Sequence, residues 1–241
     1  MVRINKYLSQ AGICSRREAD RLLGEGRILI NGSPALMGQQ VNGDEEIWVD
    51  GKPVGRTQEE IILMFNKPRG IVCSTVSTHG ETNVVDFVNY PERIYPVGRL
   101  DKESEGLLLL TNNGDLMNRV LKSKNGHEKE YLVRVDRPIS EQDLRQMERG
   151  VKLSERMTKP CRCSRLTTDS FRIVISEGIN RQIRRMCQQF GYEVVSLERV
   201  RFMMLTLGNL ARGEYRKLTA DEIADLKAAA YQDMSNSADD A

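Results

Sequence analysis

Histidine is almost missing from this chain: His79 and His127 are the only two among 241 residues. A Ser-His-Asp triad or a histidine-based metal centre therefore has almost no material to work with. The five cysteines, Cys14, Cys73, Cys161, Cys163 and Cys187, are odd in number and follow no export signal, so buried free thiols are expected in place of a disulfide framework. Cys161-Arg162-Cys163 has a single residue between its thiols, too few for a zinc knuckle, and no second pair completes a site. No phosphate-cradling glycine loop is present either. No stretch approaches the roughly 18 consecutive apolar residues of a membrane span. The start, Met1-Val2-Arg3-Ile4-Asn5-Lys6, lacks the apolar run of a secretion signal. A cytoplasmic protein with no membrane partner, metal or cofactor is the expectation, and a monomer is expected.

What is present is charge, and it is unevenly spread. Residues 219 to 241 hold six acids (Asp221, Glu222, Asp225, Asp233, Asp239, Asp240) and one base, Lys227, for a net of −5. Setting that end aside from the net charge of +2 leaves +7 on residues 1 to 218. A basic body suits a polyanionic partner.

Residues 1 to 50 read as a compact unit of two helices on a small sheet. Ile4, Tyr7, Leu8 and Ala11 recur at helical spacing until Gly12 stops the run. Ser15-Arg16-Arg17-Glu18 has capping-box spacing, and Ala19, Leu22 and Leu23 supply the buried face of a second helix. Arg27-Ile28-Leu29-Ile30, the turn Asn31-Gly32 and a later extended segment ending at Ile47-Trp48-Val49 predict the sheet. Arg16, Arg17, Arg21 and Arg27 are expected on the outside. Residues 51 to 60 read as a polar linker.

A larger α+β domain is expected over residues 61 to 230. Ile61 to Phe65 and Leu107 to Leu110 fit buried strands, and Tyr131 to Val135 and Phe171 to Ile175 are richer in β-branched residues. Ser140 opens a helix that Gly150 stops, and Thr219-Ala220-Asp221-Glu222 opens a final one. The irregular strand spacing predicts a largely antiparallel mixed sheet flanked by helices. Residues 231 to 241 are expected to be a disordered acidic tail.

Two segments carry candidate chemistry. Along Asn180 to Gly191, Ile183, Met186, Cys187 and Phe190 fall on one side of a helix and Arg181, Arg184, Arg185 and Gln188 on the other. No acid lies between Glu177 and Glu193 to pair with them, so the stripe suits phosphate or a carboxylate held in a cleft. Gly98-Arg99-Leu100-Asp101 precedes the buried run 107 to 110. Alone, such an aspartate is usually a turn residue. Its company matters more: Asn66-Lys67-Pro68-Arg69-Gly70 upstream, His127-Glu128-Lys129-Glu130-Tyr131 later, and Arg181-Gln182-Ile183-Arg184-Arg185-Met186 beyond.

In that order these motifs resemble the pseudouridine synthases, in the branch that carries an N-terminal RNA-binding domain named after ribosomal protein S-four and acts on ribosomal RNA. The small-domain likeness rests on residues 3 to 8, 15 to 19 and 26 to 32, and the whole covers roughly residues 3 to 227. The resemblance implies isomerisation of uridine in structured RNA by base flipping, with no cofactor and no metal. It implies Asp101 as nucleophile or base, Tyr131 against the uracil face, and Arg184 as the basic partner of the aspartate. Arg99, Lys67, Lys129, Arg181 and Arg185 become candidate RNA contacts, joined in the small domain by Lys6, Arg16, Arg17 and Arg27. Large-subunit ribosomal RNA is the expected substrate, with a tRNA stem-loop as alternative, and a non-catalytic ribosome-assembly factor is the rival from another class.

Overall fold

A computed structural model describes residues 1–55, 59–75, 80–121 and 126–231. Two compact units emerge: Met1–Ile61 with Pro91–Arg93 and Asn112–Gly114, and the remainder of the chain.

In the first unit, β1 (Val2–Arg3) leads into α1 (Ile4–Gln10) and α2 (Arg16–Gly24). The second helix starts where its polar cap predicts, with the Ser15 hydroxyl accepting from the Glu18 amide at 3.1 Å. There follow β2 (Ile28–Ile30), β3 (Ser33–Pro34), β4 (Gln40–Val41), β5 (Ile47–Val49) and β6 (Lys52–Pro53). Asn31 and Gly32 take φ of 49° and 80°, the paired left-handed conformation of a two-residue hairpin turn. The sheet order is β3-β2-β5-β6. Two points differ from expectation. The Asn31-Gly32 turn joins β2 to the short β3, while β5 pairs on the other side of β2. Lys52 and Pro53 pair with β5, so the stretch read as linker begins as a strand, turned back by Asp50 and Gly51 at positive φ. Its residues 56–58 lie outside the described residues. Ile4, Leu8, Ala19, Ile28 and Val41 form the fully buried centre of this unit.

The second unit comprises β7 (Ile62–Lys67), α3 (Val84–Val88), β8 (Tyr95–Val97), β9 (Glu105–Thr111), α4 (Gly114–Leu121), β10 (Lys129–Val135), α5 (Glu141–Glu148), β11 (Arg162–Arg165), β12 (Ser170–Ile175), α6 (Gln182–Gln189), β13 (Val194–Phe202), β14 (Leu205–Thr206), β15 (Tyr215–Lys217) and α7 (Ala220–Tyr231). Nine strands join in one sheet along β11-β12-β10-β13-β9-β7-β15, with β14 on β13 and β8 on β9. Every pairing is antiparallel except β13 with β9, so the fold is the mixed α+β architecture expected. Uninterrupted apolar runs mark β7 and β9 as buried on both faces, and every residue of both is buried. Ile62, Met64, Leu107 and Leu109 pack with Leu116, Val120, Leu218 and Leu226 in one core cluster. The final helix opens with a reciprocal capping box: the Thr219 hydroxyl accepts from the Glu222 amide at 3.2 Å, and the Glu222 carboxylate accepts from the Thr219 amide at 2.9 Å. The acidic segment beyond Tyr231, read as disordered, lies outside the described residues.

The strand that joins the two halves of the sheet, β13, is the longest of the elements that the pattern missed, others being α3, α4, β11 and β15. Glu198, Arg199 and Arg201 interrupt its apolar run, yet Arg199 is only 4% exposed. Its Nε donates to the Leu107 carbonyl at 2.7 Å. Arg201 pairs with Glu130 at 2.8 Å and Glu128 at 3.1 Å. Charges placed so are satisfied within the sheet.

Candidate active site

Asp101 lies in the loop between β8 and β9, entered through Gly98 at φ 77°. The loop is held from several sides. Lys67, at the end of β7, directs its Nζ to the carbonyls of Pro68 (3.0 Å), Asp101 (3.3 Å), Lys102 (3.4 Å) and Ser104 (2.8 Å). The Gly70 amide donates to Lys102 at 2.8 Å, and the Ser104 amide closes a turn onto the Asp101 carbonyl at 3.0 Å. Lys67 is fully buried and meets only carbonyl oxygens there, and burial pushes its pKa below the usual lysine value. In place of the RNA-backbone contact expected from the sequence, the structure puts the Lys67 ammonium away from solvent, where it gathers the backbone of the aspartate loop.

Arg184, from α6, approaches from the other side. Its guanidinium donates to the carbonyls of Val194 (3.1 Å) and Glu103 (3.0 Å) and to the Ser104 hydroxyl (3.3 Å). Its buried Nε has no hydrogen bond among the described residues and stands 3.9 Å from Oδ2 of Asp101. Burial and the neighbouring Arg181 lower the Arg184 pKa. Arg181 caps α6 in the left-handed conformation and brings Nη1 to 4.0 Å from the same carboxylate oxygen. Two guanidiniums thus aim one carboxylate without locking it, since both distances exceed hydrogen-bond length.

The carboxylate opens onto a cavity of about 450 Å³ lined by Arg99, Asp101, Lys129, Tyr131, Arg181, Arg199 and Phe202 among others. That volume falls within the range of small-ligand sites, ~300–1,000 Å³. Tyr131 is 8% exposed and opposes Ile173 of β12 and Arg199 of β13. It shares its buried face of β10 with Val133 and Val135 while also lining the cavity. Arg99 and Arg181 are exposed at the cavity.

Sequence reasoning thus brought Asp101, Tyr131 and Arg184 to one place, although Arg184 stands behind the carboxylate and does not line the cavity. Arg185 needs correction. Read as unneutralised, it pairs with Glu155 at 2.6 and 3.1 Å and with the Ser154 hydroxyl at 2.7 Å. The acid comes from a distant segment, which a search along the helix itself could not find. Among the first-unit candidates, Arg27 is held by Asp50 (2.5 and 2.7 Å) and Glu25 (3.0 Å). Arg16 and Arg17 are exposed, and neither enters an ion pair among the described residues. Lys6 is half-buried on α1.

Three residues escaped the sequence reading. Ser104 anchors Arg184. Glu177, buried before α6, accepts from the Lys159 amide (2.8 Å) and the Gln182 amide group (2.9 Å) and pairs with Arg156 (2.9 Å). Arg199 enters through β13. Only tertiary pairing singles these out.

The mixed α+β sheet thus presents an aspartate between two arginines, at a cavity that a tyrosine also lines. The chain belongs to the RNA pseudouridylate synthase family, which residues 61–189 match, and residues 2–47 match the S4 domain. It is 49% identical to the dual-specificity RNA pseudouridine synthase RluF of Escherichia coli strain K12, over 93% of this chain and 78% of that one. It is 38% identical to the ribosomal large subunit pseudouridine synthase B of Bacillus subtilis strain 168, over 95% and 97%. Among solved structures, a pseudouridylate synthase with 31% identity superposes with a TM-score of 0.68, covering 94% of this chain and all of that one.

Proposed function

We propose that this protein converts uridine to pseudouridine in structured RNA, with large-subunit ribosomal RNA as substrate and a tRNA stem-loop as a second one. The single observation that carries the chemistry is the Asp101 carboxylate, 3.9 and 4.0 Å from two arginines and open to a cavity that Tyr131 lines. The ribosomal target draws support from the name of the Bacillus subtilis relative. The second substrate draws support from the dual specificity in the name of the Escherichia coli relative.

In this reading the target nucleotide is extruded into the cavity and its uracil lies against Tyr131. The N1–C1′ bond breaks, the ring turns, and C5 bonds to C1′. C5 loses a proton and N1 gains one, so nothing is consumed. Asp101 acts as covalent nucleophile at the ribose or as base toward it. Arg184 and Lys67 are positioning residues, the one acting on the carboxylate and the other on its backbone. Arg99 and Arg181 contact the RNA at the cavity, and Arg16 and Arg17 do so from the N-terminal unit. The chain works as a cytoplasmic monomer, with residues 1–50 docking on RNA and 61–230 performing catalysis.

Asp101→Asn tests this. Pseudouridine formation should fall by at least about 10³-fold while RNA affinity stays within about threefold. Retained turnover sinks the assignment of Asp101. No change in any RNA on deleting the gene would favour the non-catalytic assembly factor, and a changed tRNA site with an unchanged ribosome would overturn the ribosomal preference.

A further inference from the structure

Lys129 and Tyr131 stand two residues apart on one face of β10, and both line the cavity. Lys129 opposes Ile175 of β12 and Phe202 of β13. Its Nζ donates to the His127 carbonyl at 2.8 Å and lies 5.7 Å from the centre of the Phe202 ring. That carbonyl is the one acceptor it meets among the described residues, which leaves further donors of a three-proton ammonium at the cavity wall. No carboxylate lies within ion-pair distance of it among the described residues. A second cation adjoins it: Arg199, from β13, sits 5.4 Å from the same Phe202 ring.

A half-buried ammonium without a carboxylate, next to a buried guanidinium, is an unfavourable arrangement for a structural lysine. It suits a site where negative charge appears during a reaction. The charged and titratable groups around it are Arg199 on β13, Glu177 beyond β12, Tyr131 on its own strand, and Arg99, Asp101, His127 and Arg181 in the loops that line the cavity. Glu177 is already paired with Arg156. Burial first, and Arg199 second, push the Lys129 pKa down to about 8, against a weaker upward pull from Glu177.

We propose that Lys129 is a catalytic residue whose ammonium stabilises the uracil anion released when the glycosidic bond breaks. The inference rests on the pseudouridine-forming reading of the cavity. When the N1–C1′ bond breaks, its electron pair stays with the ring and the charge spreads to the O2 and O4 carbonyl oxygens. A donor at the cavity wall holds that charge while the ring turns. C5 then supplies the pair for the new bond to C1′, loses its proton, and N1 is protonated, with no external reactant. This role is distinct from the RNA-backbone contact that the sequence alone suggested for Lys129. A phosphate contact changes affinity, whereas stabilising the anion changes the rate on bound RNA.

The experiment measures single-turnover pseudouridine formation in total RNA from cells lacking the gene, using full-length wild type, Lys129→Met and Lys129→Arg, from about pH 6 to about pH 9, below the ionisation of uridine itself. The wild-type rate should fall as pH rises through the lysine titration, because the ammonium is the active form. Lys129→Met should be about 100-fold slower at saturating RNA, with affinity within about threefold and no such alkaline fall. Lys129→Arg should recover at least a tenth of the wild-type rate and stay flat on the alkaline side, since a guanidinium does not titrate there. If Lys129→Met does not fold, the alkaline profile of Lys129→Arg decides alone. A Lys129→Met rate close to wild type, a loss of affinity with the rate preserved, or an alkaline fall persisting in either variant overturns the inference while leaving the cavity's function standing. A wild type that forms no pseudouridine overturns the underlying reading and this inference with it.

Discussion

Four backbone carbonyls converge on the Nζ of Lys67, and a group that looks from its sequence like a phosphate contact turns out to shape the aspartate loop. Lys67→Met removes the donor and leaves those oxygens buried without it. With an unsatisfied buried polar group costing about 1–3 kcal/mol, the variant should lose about 2–4 kcal/mol of stability in urea denaturation. It should also lose activity at temperatures where it remains folded, because Asp101 is displaced. Activity preserved alongside full stability would show that the carbonyls find other donors. Arg184 is the counterpart from the helix side. Periodicity revealed that it and Arg185 share a polar face, but not that one meets Asp101 and the other Glu155. Neighbouring arginines on one helix carry the same local signal, and only the segments folded against them separate their roles.

At the scale of elements, one close approach supports the site. Where β9 meets β13 in parallel, Gly106 takes φ 101°, and a Cβ there would sit 2.3 Å from the Arg199 carbonyl oxygen. Both the backbone conformation and the space exclude a side chain. Gly106→Ala should force the strands apart and cost about 2–4 kcal/mol, read as a lower urea midpoint with an unchanged slope. Because Asp101 precedes β9 and Arg199 belongs to β13, activity per folded molecule should fall as well. A variant of unaltered stability would show that the strands tolerate the separation. The apolar runs of β7 and β9 announced themselves, as did the capped helices α2, α5 and α7. Strand β13 did not, because its Glu198, Arg199 and Arg201 read as surface residues until a carbonyl and two carboxylates supply partners for the arginines.

At the scale of the whole molecule, the surplus of +7 on residues 1 to 218 predicts RNA affinity that falls steeply with salt. Arg16 and Arg17, exposed on α2, are the first-unit arginines that carry the test, since Arg21 and Arg27 are paired with Glu18, Glu25 and Asp50. The double variant Arg16→Ala and Arg17→Ala should bind RNA about tenfold more weakly and flatten the plot of log affinity against log salt by about 1–2 units. The single-turnover rate at saturating RNA should not change. An unaltered slope would remove these arginines from the RNA interface.

The sequence by itself determined that the runs of β7 and β9 are buried and where the capped helices α2, α5 and α7 start, because apolar periodicity and capping act over a few neighbouring residues. It also held the ordered motifs that place the chain among the RNA pseudouridylate synthases. Tertiary structure alone decided which charges are available. Arg185 and Arg27 are neutralised by acids outside their own elements, Lys67 is buried beneath the loop of Asp101, and Lys129 lines the cavity with no carboxylate in ion-pair distance among the described residues. A charge acts through whatever lies within a few ångströms, and that neighbourhood is assembled from residues far apart in the chain.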